Sequence, residues 1–500
     1  MLNLDYNTIK AEAIIRLNPV QTAVSAKIVA KDEIEKIITA YAEAVINNYN
    51  VAGSYLAFSG KVNYKLLALL TDGQVIGLAY NADFSDKVLL PTGSVQPQAY
   101  FDCVVLNNDF ELSGSTVALT TLIDTSTNMI VAKQHQCLTA SDNACVKKNS
   151  IDLCNDTTIK KLNATITSEV ELPSSVTKML CAESYINITD SFIDEAVLTI
   201  VGETTLNLTY LTKDNELTSS LVSSPFTQEV DVDIDAKDSL ISCVKIKGSK
   251  IHLDIVEEDD NNALTAEIQA EFVLMSNKVV QQEVIEDIYS KSHQLTIDKE
   301  QIVNTIIQGR YDYDFVVNEE VDLPEGNSRI ISLINCRVDI VKLSSLEGEI
   351  VFDGILQGCL LYKGEKVGGA NFELPFTKSV ADTNLSSQVN LSCCANVVNI
   401  KYNASRKLAI EAIIKAEVVA TQDKTQNIIC KVEEGEEITI SQHAFEVCLA
   451  KKGDSLWNTA KNLNMTEQEI AETNPDLEFP LKEDQQVVIY HQIKAINKAL

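Results

Sequence analysis

Residues 56–88, LAFSGKVNYKLLALLTDGQVIGLAYNADFSDKV, decide the fold, because two further segments of the chain have the same design. They are residues 198–230, LTIVGETTLNLTYLTKDNELTSSLVSSPFTQEV, and residues 350–380, IVFDGILQGCLLYKGEKVGGANFELPFTKSV. Each contains an apolar strand with a central glycine, a second apolar strand, a polar turn, and a third strand that closes on Phe and then Val. Self-similarity of this kind predicts a repeat architecture.

Three landmarks recur in the segments at nearly constant spacing. The step from glycine to phenylalanine is 24, 24 and 22 residues for Gly60 to Phe84, Gly202 to Phe226 and Gly354 to Phe376. A cysteine follows each glycine by 43, 41 and 40 residues, at Cys103, Cys243 and Cys394. Successive glycines are 142 and 152 residues apart, so each repeat has the size of a domain rather than of a solenoid unit.

Within the repeats, apolar and polar residues mostly alternate, with a period of two. In residues 230–235, VDVDID, the apolar side chains fall on one face and the carboxylates on the other, as a half-buried strand requires. An EF-hand would need glycine and glutamate where Ala236 and Ser242 stand, so the aspartates are expected to form a solvated face. Few helical periods and only nine prolines predict a mainly β fold of three tandem antiparallel β-sandwich-like repeats.

One stretch outside the repeated segments has helical spacing. In residues 31–48, KDEIEKIITAYAEAVINN, the spacing of the isoleucines, Tyr41 and Val45 predicts an amphipathic helix that packs on the first repeat. A helix that binds a partner is the alternative.

The last part of the chain, residues 445–490, has a different pattern. Alternating apolar residues from Phe445 predict a strand, and the Gly453-Asp454 turn precedes an apolar helical stripe. A Thr466/Glu469 capping box predicts a second helix that runs to about Thr473, and residues 487–489 predict a closing strand. Trp457, the only tryptophan of the chain, is expected in the core of this small strand-helix-helix-strand unit.

The run GDSLWNTAKNLNMTEQEIAETNPDL, followed by LKEDQQVVIY, resembles a LysM module. LysM modules mostly bind N-acetylglucosamine polymers such as peptidoglycan in a shallow groove. By this resemblance, the groove would be formed by Gly453, Asp454, Ser455 and Leu456 on one side and by Asn474, Pro475, Asp476 and Leu477 on the other. The family usually has Lys-Pro-Gly-Gln before the last strand, whereas this chain has Lys-Glu-Asp-Gln at 482–485, which favours a protein ligand over a glycan.

The repeats resemble a second family. Residues 284–290, VIEDIYS, are similar to the IEDxYS segment of SPOCS (DUF3794) domains. The glycine strand and the Pro-Phe and Leu-Pro pairs are also similar, at Pro225-Phe226, Pro375-Phe376, Leu172-Pro173 and Leu323-Pro324. Three such repeats followed by one LysM module resemble clostridial spore-assembly proteins. The resemblance implies work in the mother-cell cytoplasm around the forespore, with the LysM module on the coat's ATPase scaffold protein.

Composition limits the classes of partner. The chain carries 41 Lys and Arg against 71 Asp and Glu, a net charge of -30, so nucleic acid and anionic membrane surfaces are poor partners. No apolar run is long enough for a transmembrane helix, and the first residues lack a secretory signal, so a cytoplasmic protein is expected. The twelve cysteines include no CxxC pair and are expected to be reduced, buried thiols, with metal ligation or disulfides as alternatives.

No catalytic or metal-binding motif is present. Five dispersed histidines form no metal-spaced cluster, and no GxSxG, P-loop or GxGxxG sequence occurs. We therefore expect no enzymatic activity, no cofactor and no metal site.

The expected organisation follows from these patterns. The boundaries are 1–145, 146–295 and 296–430 for the three repeats, 431–444 for a mobile acidic linker, 445–490 for the LysM unit and 491–500 for a tail. The expected function is that of a structural adaptor in spore coat assembly, whose LysM module docks on a coat scaffold protein. The alternative is a peptidoglycan-binding protein of the cell wall or cortex. Self-association of the chain is left open.

Overall fold

The computed structural model describes residues 2–91, 98–173, 176–194, 196–232, 240–243, 251–254, 263–323, 328–346, 348–381, 389–405, 407–439 and 445–490. These residues form 21 β-strands and two short helices. Every strand pair is antiparallel. The prediction of a mainly β, antiparallel fold is confirmed.

Unit I contains six strands: β1 (Leu4–Val29), β2 (Ile34–Ala52), β3 (Tyr55–Leu70), β4 (Val75–Leu89), β5 (Gln98–Ser113) and β6 (Thr116–Ser141). They form two three-stranded sheets, one in the order β1-β6-β5 and one, a meander, in the order β2-β3-β4. Leu66 of the meander and Phe101 and Met129 of the other sheet belong to one buried cluster. The alternation of apolar residues in these strands therefore fills a core between two sheets.

Unit II contains β7 (Cys145–Glu171), β8 (Val176–Asp194), β9 (Val197–Thr212), β10 (Leu217–Asp231), β11 (Leu240–Cys243), β12 (Ile251–Asp254) and β13 (Ala263–Tyr289). Its meander is β8-β9-β10, and β13 pairs with β7, β11 and β12. Unit III contains β14 (His293–Val321), β15 (Arg329–Leu346), β16 (Glu349–Lys363), β17 (Val367–Ala381), β18 (Asn390–Ala404) and β19 (Leu408–Glu437). Its sheets are β14-β19-β18 and the meander β15-β16-β17, so the pairing order of unit I recurs.

The landmark glycines and phenylalanines are cross-strand partners in the meanders. Gly60 pairs with Phe84, Gly202 with Phe226, and Gly354 with Phe376. A Cβ atom on the glycines would lie only 2.9, 2.9 and 2.6 Å from the phenylalanine rings. The ring covers the bare backbone, and the constant sequence spacing is the register of a hairpin.

The helix predicted for residues 31–48 is wrong, because Ile34–Ala52 is strand β2. Register shifts between Ile34 and Lys36 and between Ile37 and Thr39 each insert an extra residue into the pairing with β3. After them the period is two, with Ala42, Ala44 and Ile46 buried. Two β-bulges therefore changed the phase of an alternating strand and imitated helical spacing.

The mobile acidic linker predicted for residues 431–444 is also wrong for the part that is described. Residues 431–437 complete β19, which runs past the predicted domain end at 430, and Val432 and Lys431 pair with Ile297 and Asp298. Val432 is buried while Glu433 and Glu434 are exposed, so the acidic stretch is the solvent-exposed end of a paired strand. Residues 440–444, the predicted tail 491–500 and Pro324 lie outside the described residues.

The three units contact one another in a closed cycle. The bare backbone of Gly77 in β4 lies against the carbonyl of Leu180 in β8, where a side chain would clash. In the same way, the Oγ of Ser219 in β10 donates to the carbonyl of Ile331 in β15 at 2.6 Å. Gly369 in β17 closes the cycle against β2 of unit I. The last meander strand of each unit therefore packs on the first meander strand of the next.

The C-terminal unit consists of β20 (Phe445–Ala450), α1 (Leu456–Asn462), α2 (Glu467–Thr473) and β21 (Gln485–Tyr490), with β20 and β21 paired. The predicted capping box is present: Thr466 Oγ1 accepts from the backbone of Glu469 at 3.1 Å, and the Glu469 carboxylate accepts from the backbone of Thr466 at 2.7 Å. Among the described residues, no helix is long and apolar enough to span a membrane.

Candidate functional site

The first side of the predicted groove is the turn between β20 and α1. Gly453 has a φ of +90°, which favours glycine, and its N–H donates to the carbonyl of Leu481 at 2.8 Å. The carbonyl of Asp454 accepts from the N–H of Leu481 at 3.1 Å. Ser455 is the N-cap of α1, and its Oγ accepts from Asn458 at 3.1 Å; Leu456 is the first helical residue. The turn is therefore held rigidly against the segment before β21.

The second side follows α2, and Asn474 has a structural role there. Its Oδ1 accepts from the N–H of Val488 at 2.7 Å, and its Nδ2 donates to the carbonyl of Val488 at 2.9 Å. Pro475 and Asp476 are exposed, and Leu477 is half-buried. Leu477 and Leu456 pack against the same buried cluster, so the structure brings the two predicted sides to one core.

The acidic residues before β21 divide into two roles. Asp484 Oδ1 accepts from the backbone N–H of Lys452 at 2.8 Å, and Asp454 Oδ2 accepts from that of Lys451 at 2.9 Å. These two carboxylates stabilise the turns beside the predicted groove. Glu483 and Asp476 are exposed and leave negative charge at the rim.

Trp457 is buried, with 7 % of its surface exposed, as predicted for a core residue. The sequence did not indicate that this side chain also contacts unit II. The indole Nε1 donates to Asp287 Oδ2 at 2.8 Å, and the ring of Tyr289 meets the indole edge-on at a centroid distance of 4.9 Å. The C-terminal unit is therefore docked on the C-terminal end of β13 by its largest side chain.

Asp287 is the polar centre of this contact. Lys461 Nζ lies 2.7 Å from both of its carboxylate oxygens. Burial raises the pKa of the Asp287 carboxyl, but the hydrogen bonds from Lys461 and Trp457 outweigh burial and hold the pKa below its ordinary value. The carboxylate is therefore charged at neutral pH and bridges two side chains of α1.

Two further contacts extend the docked surface. The hydroxyl of Tyr289 donates to the carbonyl of Met465 at 2.6 Å, and Lys291 Nζ lies 2.7 Å from Glu469 Oε1. Asp287 and Tyr289 share one face of the strand end, because alternate residues point the same way, and Lys291 lies in the bend that follows β13. The VIEDIYSK run at residues 284–291 could have indicated this contact. A buried tryptophan needs an acceptor for its N–H, and this run has an acid and a tyrosine two residues apart, on one face of a strand.

A cavity of about 250 Å³ lies where the three meanders meet. Glu183 accepts there from the N–H of Asn335 at 2.5 Å and from the amide of Asn207 at 3.3 Å. Burial raises the pKa of Glu183. The Arg337 guanidinium donates to the carbonyl of Val105 at 3.2 Å. Glu183 of unit II therefore bonds to unit III, and Arg337 of unit III bonds to unit I.

The eleven cysteines whose side chains are described are free thiols. No disulfide links the eleven cysteines whose side chains are described, and five of them are buried. Burial raises the pKa of Cys137 and of Cys359 to about 11, so these thiols are protonated at neutral pH. Within the described ranges, no three His, Cys, Asp or Glu side chains are grouped closely enough to hold a metal ion.

Comparisons with known proteins give no match. No family model matches the chain, and neither a curated protein nor a solved structure is similar to it. The observed fold and contacts, with the resemblances of the sequence, are therefore the basis for a functional assignment.

Proposed function

We propose that the protein is a non-enzymatic structural adaptor of spore coat assembly. In this proposal the three units are tandem SPOCS repeats and the C-terminal unit is a LysM module, as in the clostridial spore morphogenetic protein SipL, which the sequence resembles. The module binds the coat's ATPase scaffold protein through the groove between residues 453–456 and 474–477. The chain acts in the mother-cell cytoplasm at the forespore surface.

One observation carries the proposal: the C-terminal unit is anchored by residues other than the eight of the predicted groove. Trp457, Lys461 and Glu469 contact unit II, whereas Gly453, Pro475 and Asp476 remain exposed. A recognition surface that is held in place by the rest of the chain loses less entropy when it binds. Anchoring therefore suits a unit that links a large β body to a second protein.

Charge favours a protein ligand. Asp476, Glu478 and Glu483 are exposed beside the groove residues; Lys482 offsets the charge of Glu478, so Asp476 and Glu483 carry the negative charge of the rim. An uncharged sugar polymer gains nothing from this negative rim, whereas a basic protein surface is attracted and steered by it. The expected ligand is therefore a protein surface rich in Lys and Arg.

The test measures binding of the full chain to the purified coat ATPase scaffold protein and, separately, its sedimentation with purified peptidoglycan. Asp476→Lys reverses one rim charge, and Asp322→Lys makes the same change at a side chain of unit III that is 89 % exposed. We expect Asp476→Lys to weaken scaffold binding by about tenfold or more, equal to about 1.4 kcal/mol, and Asp322→Lys to leave it unchanged.

Strong sedimentation with peptidoglycan and no binding to the scaffold protein would instead establish the alternative function, retention on the cell wall or cortex. Equal loss of binding in both variants would show that only the overall charge of the chain matters. Either result would overturn the proposal that the groove binds the scaffold protein.

A further inference from the structure

Strand β20 has an open edge. It pairs with β21 on one side, with Val447 opposite Val488. The N–H and C=O of Val488 are directed away from β20, because both bond to the side chain of Asn474. Residues opposite one another in an antiparallel ladder share this orientation, so the N–H and C=O of Val447 point away from β21. By the two-residue period, the same holds for Phe445 and Leu449.

The same three residues present apolar side chains. Phe445 is 52 %, Val447 44 % and Leu449 67 % exposed, and Tyr490, opposite Phe445, is 57 % exposed. In the described part of the chain, no hydrogen bond satisfies the outward backbone groups of these β20 residues. Polar backbone groups and apolar side chains together form a template that only another extended strand can match.

The opposite edge of the sheet is closed. Asn474 occupies the outward groups of Val488 at 2.7 and 2.9 Å, and the hydroxyl of Thr473 adds a bond to the same carbonyl at 3.1 Å. An added strand can therefore join only at β20. Such an addition ends after one step and cannot continue into a fibre.

We propose that a second copy of this chain occupies this edge, its β20 pairing antiparallel to the first to give a four-stranded sheet. The edge is self-complementary: with Val447 opposite its counterpart, Phe445 of each copy lies opposite Leu449 of the other. All three outward positions then fall in hydrogen-bonded pairs, each of which exchanges two backbone bonds. The twofold symmetry is that of an isologous dimer.

Charge permits this register in a strongly acidic chain. Glu446 lies opposite Cys448 of the second copy, so no carboxylate faces another across the new strand pair. The side chains of both copies' Phe445, Val447 and Leu449 lie on one face and cover each other. This pairing is independent of what the groove binds, because none of the eight predicted groove residues belongs to β20.

The dimer is expected to be weak in solution. Two six-residue strands bury less than the roughly 1,200 Å² that stable interfaces require. Chains held side by side on one assembling surface raise each other's effective concentration, which strengthens such a contact without new interactions. Weak self-pairing therefore suits a chain that is active when many copies are gathered.

The test is sedimentation equilibrium of the full chain from about 5 to about 500 µM, a span that brackets weak association. Val447→Pro removes the outward N–H and obstructs the incoming strand, but it keeps the β20–β21 bonds because that N–H does not face β21. Leu449→Lys removes apolar surface and adds charge. Val341→Lys is the control, since Val341 in β15 is 70 % exposed.

We expect the wild type and Val341→Lys to dimerise with the same Kd, and the two β20 variants to raise the Kd at least tenfold. Fluorescence of Trp457 checks that the C-terminal unit is folded in each variant. A chain that ends at Tyr490 should dimerise as the wild type does. The proposal is overturned if the full chain is monomeric throughout, if Val447→Pro dimerises normally, or if only the shortened chain dimerises.

Discussion

Replacement of Asp287 by alanine should release the C-terminal unit from the β body. The carboxylate accepts a hydrogen bond from Trp457 at 2.8 Å and two from Lys461 at 2.7 Å. Alanine leaves the buried indole N–H without an acceptor and the ammonium group without its counter-ion. The β body should keep its fold, because the lost side-chain bonds all run from Asp287 to α1.

The magnitude follows from the two kinds of contact. A hydrogen bond between a neutral donor and a charged acceptor contributes about 1.5–3 kcal/mol. The ion pair joins side chains that are 22 % and 37 % exposed, so solvent screening limits it to about 1 kcal/mol or less. The expected loss is about 2–4 kcal/mol, and a small unit with a urea m-value of about 1 kcal/mol/M should unfold at a urea concentration about 2–4 M lower.

Two signals separate the parts of the molecule in this experiment. Trp457 is the only tryptophan, so its fluorescence reports the C-terminal unit, while far-UV circular dichroism reports mainly the strands of units I to III. In Asp287→Ala the fluorescence transition should move to lower urea and the dichroism transition should stay. Lys461→Met, alone and combined with Asp287→Ala, isolates the ion pair in a double-mutant cycle.

Glu286→Ala is the matched control, because Glu286 is the neighbouring acid and its ion pair with Lys147 joins side chains that are 46 % and 47 % exposed. It should cost less than about 1 kcal/mol.

The pH dependence of stability gives a second check on the role of Asp287. The pKa of Asp287 lies below its ordinary 3.8, so its stabilisation persists above pH 3.8 and is lost as the pH falls through the lower, folded value. An unchanged fluorescence transition in Asp287→Ala would refute docking of the C-terminal unit through Asp287.

Three further predictions concern the core and the joint between units. Trp457→Ala should destabilise the C-terminal unit by about 3–5 kcal/mol and abolish partner binding, with the β body still folded by circular dichroism. Gly202→Ala should cost about 1–3 kcal/mol, because its Cβ would clash with the carbonyl oxygen of Asn187 and would lie 2.9 Å from the Phe226 ring; a thermal midpoint equal to that of the wild type would contradict this. Burial raises the pKa of Glu183 above 4.5, so wild-type stability should fall as the pH rises from 4.5 through the folded pKa, and Glu183→Gln should lack that decline. Parallel pH profiles of urea unfolding would show that Glu183 is not the responsible group.

Much of the strand architecture could be predicted because it depends on local pattern. The 24-residue step from Gly60 to Phe84 is a hairpin register, and both residues are direct partners. The Thr466/Glu469 capping box is equally local, since its two bonds join residues three apart. Such contacts leave a readable pattern because the residues that make them are neighbours along the chain.

The two wrong predictions, a helix at residues 31–48 and a linker at residues 431–444, also have a physical cause. The bulges in β2 changed the phase of an alternating strand, and periodicity alone cannot separate that from a helix. The acids at 433–434 indicated a linker by composition, yet Val432 is buried because β14 supplies a pairing edge. In each case pairing with a strand outside the stretch determined the conformation, β3 for β2 and β14 for the end of β19.

The sequence by itself determined the three similar β patterns, their glycine and phenylalanine register and the small helical unit at the C-terminal end, because propensity and periodicity act over a few residues. Only the tertiary structure decided that the units close a cycle and that Trp457 meets Asp287, 170 residues away in the chain. It also decided that β20 keeps an open edge while Asn474 closes that of β21. These outcomes depend on which surfaces meet in three dimensions, and no local pattern records that.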